Sequence, residues 1–73
     1  MKQLVARTRD GVSVISEPMP DDEAGLLQQQ NFSAWTDPKA VFREIRIGRH
    51  VLQPTQVANM TTIEAGATLP PFW

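Results

Sequence analysis

The chain has 73 residues and a mass of 8.2 kDa, with no cysteine, one histidine and a formal net charge of −1. That length holds one small domain, and the missing cysteine excludes a disulfide framework, a thiolate metal cage and a cysteine nucleophile. A core this small seldom supplies more than about 3–5 kcal/mol, so the expected source of further stabilisation is a partner surface.

Charge is placed in blocks. Lys2, Arg7 and Arg9 against Asp10 give residues 1–16 a net of +2, and Glu17, Asp21, Asp22, Glu23 and Asp37 give residues 17–37 a net of −5. Lys39, Arg43, Arg46 and Arg49 against Glu44 give residues 38–50 a net of +3. Near-zero total charge argues against general electrostatic binding of nucleic acid. Alternating blocks suit either docking onto a partner of mixed charge or mutual pairing and solvation within one fold. No apolar run has signal-peptide length, and none approaches the roughly 20 residues that cross a bilayer. The expectation is a soluble chain without membrane insertion, cytoplasmic or, by analogy of size and composition with small phage proteins, virion-borne.

Residues 3–16 read as a β-hairpin. Leu4, Ala6 and Thr8 alternate with Val5, Arg7 and Arg9, and Val12, Val14 and Ser16 alternate with Ser13 and Ile15. Asp10-Gly11 between them suits a two-residue turn, because that pair tolerates positive φ. Glu17-Pro18-Met19-Pro20 then breaks the ladder by removing two backbone donors. A short helix is expected over residues 21–30, with Asp21, Asp22 and Glu23 complementing its dipole and with Ala24, Leu26 and Leu27 as its apolar face. Gly25 weakens that helix by about 1 kcal/mol relative to Ala.

Asn31–Thr36 reads as a connector carrying Phe32 and Trp35. Asp37-Pro38 then resembles a helix start, and Val41, Phe42 and Ile45 fall at helical spacing with Gly48 as a possible C′ residue. Yet Val41, Arg43, Ile45, Ile47, Arg49 and Val51 also alternate, and the density of β-branched residues favours a strand over 41–52, with Asp37-Pro38 making a turn. Residues 56–64 are a second strand candidate, and Thr68–Trp73 form a proline-stiffened tail ending in two aromatics. The expected architecture is a single small α+β or mainly β domain: hairpin 1–16, acidic linker and helix 17–36, strand region 37–64 and extended aromatic tail 65–73.

Chemistry-bearing patterns are sparse. His50 lacks the company that zinc needs, and Asp21-Asp22-Glu23 lacks calcium-loop spacing. Ser13, Ser16 and Ser33 sit in no nucleophile elbow, and the four scattered glycines make no phosphate loop. Neither catalytic residues nor cofactors are therefore expected. Arg43, Arg46 and Arg49 form a basic stretch without interleaved aromatics, a weak single-strand signal. Trp35, Leu69, Phe72 and Trp73, with those arginines, are the residues best suited to anchor a protein partner. Pro70-Pro71 would present the tail at a low entropy cost; the plainer alternative is that it lids its own core.

The favoured reading is a non-catalytic structural or adaptor subunit of a protein assembly, such as a phage cement or accessory protein, acting through strand edges and its tail. One alternative is a small regulatory or inhibitory binder of a single protein. Another is a weak nucleic-acid binder using the Arg43–Arg49 edge.

Overall fold

In the computed structural model, residues 1–39 and 43–69 are described. Strand β1 (Lys2–Thr8) lies between β2 (Ser13–Ile15) and β5 (Val57–Glu64) in an antiparallel sheet of order β2-β1-β5. Helix α1 (Asp21–Thr36) follows the first hairpin, and β3 (Ile45–Ile47) and β4 (His50–Leu52) make a separate two-stranded hairpin. A single 3-10 turn over Pro54–Gln56 leads into β5. The fold is α+β, as the sequence patterning indicates.

The first hairpin forms where expected, but its turn differs. Thr8 N–H donates to Val12 C=O at 2.8 Å and Gly11 N–H to Thr8 C=O at 3.0 Å, so Arg9, Asp10 and Gly11 form a three-residue loop. Only Gly11 takes positive φ, +91°. This is the arrangement of a turn closed by a left-handed residue, in which Asp10 needs no unusual backbone. The Thr8 hydroxyl braces the loop, bonding the Asp10 carboxylate and receiving Val12 N–H at 3.1 Å.

Beyond Ile15 the prolines do not end the pairing with β1. Ser16 N–H donates to Leu4 C=O at 2.9 Å, and Leu4 N–H donates to the Ser16 hydroxyl at 2.7 Å. The hydroxyl in turn donates to Glu17 C=O at 3.0 Å, so a buried side chain completes a main-chain ladder. Met19, between the prolines, then exchanges two 2.8 Å bonds with Lys2.

The helix is longer than the expected 21–30. It runs six residues further, through Asn31–Thr36, and Thr36 Oγ1 donates to Phe32 C=O at 2.7 Å near its end. Its buried residues are Ala24, Gln28, Asn31 and Ala34, one stripe at helical spacing. Leu26, expected on the apolar face, is 58% exposed. The stripe is half polar, so hydrophobicity alone conceals it. The first-turn acids lie at the helix start as expected. Asp37-Pro38 makes a turn, as favoured, with Asp37 Oδ1 accepting Lys39 N–H at 2.9 Å, and residues 43 and 44 are neither helix nor strand.

The stretch 41–52 is not one strand. Ile47 pairs with His50 across Gly48-Arg49, and Gly48 has φ +61°. Glycine at the first central position of a two-residue loop is what a II′-type hairpin requires. The apparent alternation runs straight across this turn, and Val41 and Phe42 lie outside the described residues. A Cβ at Gly48 would sit 3.1 Å from Ser16 Cα, so glycine also permits the close approach of the two hairpins.

Leu4, Ala6, Ala24, Ala34, Ile45, Ile47, Val57 and Met60 form the core, between one sheet face, the helix and β3. Asn31 joins these layers. Its Oδ1 accepts Arg46 N–H and its Nδ2 donates to Arg46 C=O, both at 2.9 Å. Arg46 pairs with Val51 across the hairpin, yet its own main-chain groups turn toward the helix, where one carboxamide satisfies both. Asn31→Leu should therefore destabilise the fold by about 1–3 kcal/mol for each main-chain group left unpaired. Urea unfolding measures this, and a midpoint equal to that of the parent chain would contradict the assignment.

Candidate interaction surface

Because β1 is central, β5 is an outer strand, and its outward groups follow from the ladder. Lys2, Leu4 and Thr8 direct their main-chain groups at β2 and its continuation through Ser16 and Met19. Gln3, Val5 and Arg7 must face β5, where they pair with Ile63, Thr61 and Asn59. The register shifts between Arg7 and Thr8, which pairs with Val57, so Ala58 is the extra residue of a bulge. Past this bulge, the groups turned away from β1 belong to Met60, Thr62 and Glu64.

The two edges of the sheet differ. β2 has three residues and is followed by Glu17, Pro18 and Pro20, features that discourage further pairing. β5 has eight residues, and between Val57 and Ile63 there is neither charge nor proline. Met60 N–H is capped by Asn59 Oδ1 at 2.9 Å, and Glu64 C=O accepts Ala67 N–H at 2.9 Å. Met60 C=O, Thr62 N–H, Thr62 C=O and Glu64 N–H have no partner among the described residues.

The sheet face opposite the core carries Val5 at its centre, fully buried, beside Ile15, Thr61 and Ile63 through the strand register. Ile15 is 43% exposed and Thr61 and Ile63 are half-buried, so an apolar strip reaches the β5 edge. At the other end of the molecule, an open cleft of about 470 Å³ is walled by Val12, Val14 and Leu52. Its rim is already engaged: Arg9 Nε donates to Thr55 C=O at 2.7 Å, and Thr8 bonds Asp10.

Among the described residues, the expected arginine anchors fall in different elements. Arg49 lies in the β3–β4 turn, 3.6 Å from Glu17, with the two side chains 90% and 76% exposed. Arg46 pairs with Glu44 at 3.4 Å, and Arg43 is exposed outside any strand. The basic stretch is thus dispersed over a loop, a strand and a turn rather than aligned along one edge. Trp35 is half-buried against the core, with the Phe32 ring 6.0 Å away at 46°. Leu69 is half-buried, and Phe72 and Trp73 lie outside the described residues.

Ser16 is buried with its hydroxyl bonded in both directions, whereas Ser13, Ser33 and His50 are exposed. Among the described residues no three His, Asp or Glu side chains gather as a metal site, and no helix is long and apolar enough to cross a membrane. That β5 is the outer strand of its sheet was beyond sequence reasoning, since strand order decides it. No family model, curated protein or solved structure matches the chain.

Both arginine pairs are solvated, and such pairs contribute about 0–1 kcal/mol. Arg46→Ala and Arg49→Ala should each leave the urea midpoint nearly unchanged. A loss comparable to that expected for Asn31→Leu would show that these cations hold the hairpin.

Proposed function

We propose that the chain is a non-catalytic structural or adaptor subunit that joins a protein assembly by strand addition. The observation that carries this reading is the outer edge of β5: Val57–Ile63 holds neither charge nor proline, and four main-chain groups around Thr62 have no partner among the described residues. Sheet edges left in this state are templates for another strand, and monomeric sheets usually block them with charge, proline or a covering element. Main-chain hydrogen bonds supply affinity in strand addition, and neighbouring side chains supply selectivity. Here the side chains beside the edge are Thr61 and Ile63 on one face and Met60 and Thr62 on the other.

Small size supports the same reading, because a core of this extent gains from a surface supplied by another chain. The aromatic tail would add apolar anchors, Leu69, Phe72 and Trp73, of the kind that dominate interface energetics. The dispersed arginines with their carboxylate partners favour orientation of a protein partner over a phosphate track.

The test is the native mass of the epitope-tagged chain in extracts of its source cell. The parent chain should run in a species several times its 8.2 kDa mass, and Thr62→Pro should run at monomer mass. Proline at this outward position removes no bond to β1. If the parent itself runs at monomer mass, or Thr62→Pro stays in the large species, strand addition at β5 is wrong.

A further inference from the structure

We propose that the strand received by β5 is β5 of a second copy, paired antiparallel about a twofold axis at Thr62. This rests on the strand-addition reading above and names its partner. Twofold pairing requires an edge complementary to itself, with residue i opposite residue j and j opposite i. The four groups without a partner among the described residues meet that condition. With Thr62 opposite Thr62 of the second copy, the two residues exchange both of their bonds. Glu64 N–H then donates to Met60 C=O of the second copy, and the reciprocal bond forms symmetrically.

Occupied groups select this register. Met60 N–H is held by Asn59 Oδ1 and Glu64 C=O by Ala67 N–H. These are the two groups that the Thr62-centred pairing can spare, because each already has a partner. An axis at Met60 would instead place the capped N–H at the centre of the ladder.

Side chains agree with the same axis. On the face opposite the core, Ile63 comes to lie across from Thr61 of the second copy, extending the apolar strip of Ile15, Val5 and Thr61 over the junction. On the core side, Thr62 meets Thr62, a pairing that sheets favour. The two Glu64 carboxylates fall about 14 Å apart, four residues along the ladder at about 3.4 Å each. At that separation they lie beyond the screening length of physiological salt, about 8 Å. The result is one continuous six-stranded sheet with β2 of each copy at its ends.

Sedimentation equilibrium at about 100 μM, backed by cross-linking, tests this. The parent chain should sediment at twice 8.2 kDa, and both Thr62→Pro and Thr62→Lys should sediment as monomers with the parent's circular dichroism. Lysine places two like charges opposite each other at the axis without restricting the backbone, so it decides the matter if the proline variant does not fold.

Since the chain has no cysteine, single-cysteine variants at 60, 62 and 64 report the register through a short bis-maleimide. Residue 62 lies about 5.5 Å from its counterpart across a hydrogen-bonded pair, and residues 60 and 64 lie far beyond the linker. Cross-linking strongest at 62 is expected. A monomeric parent, a Thr62→Lys dimer, or cross-linking strongest at 60 or 64 would each overturn the proposal. A monomeric parent found in a large cellular species that Thr62→Pro abolishes would overturn self-pairing alone. A parent at monomer mass in the cell would overturn strand addition itself.

Discussion

The structure depends on the hydrogen-bonding demand of β1. A central strand must pair on both sides, and only one of its neighbours is long enough to do so unaided. β5 serves the side of Gln3, Val5 and Arg7, whereas the three residues of β2 leave Leu4 and Lys2 to be satisfied by other means. The Ser16 hydroxyl takes the Leu4 amide, and Met19 takes both main-chain groups of Lys2. Having met these needs, the chain leaves the segment at Pro20, and the helix begins at Asp21.

The second hairpin is attached by the same logic. Gly48 allows its tip to rest on Ser16, and Asn31 supplies the main-chain partners that Arg46 lacks within a two-stranded ribbon. Polar groups thus join three parts whose apolar side chains are few. Ile45 and Ile47 fill the space between helix and sheet because that clamp holds them there. The core is closed on its buried side, and the β1 constraint leaves β5 as an outer strand with no further strand beside it among the described residues.

Local signals in the sequence located the first hairpin, the start of the helix and β5. Asp-Gly between alternating segments marks the first hairpin, three acids after a proline mark the helix start, and Thr-Thr-Ile marks β5. Two polar residues obscured the rest of the helix: Gln28 and Asn31 lie on the buried stripe, so Asn31–Thr36 resembled a connector. Period-two alternation across Gly48 disguised a turn as a strand, since the count of two is kept by a two-residue loop. The loop at Asp10-Gly11 is one residue longer than the dipeptide suggests because only glycine takes positive φ there. Arg43, Arg46 and Arg49 were legible as a charged stretch, but their separation needed the turn. The exposed edge needed strand order, a long-range property that no window of residues contains.

Amide exchange at Thr62, read by NMR against Thr61 over a concentration series, tests the central claim most directly. Thr61 directs its amide at β1 and should be protected at every concentration. Thr62 should exchange rapidly in dilute solution and gain protection as concentration rises, because in the proposed pairing its N–H is bonded by a second copy. Protection of Thr62 equal to that of Thr61 at the lowest concentration, or rapid exchange persisting at the highest, would contradict the account.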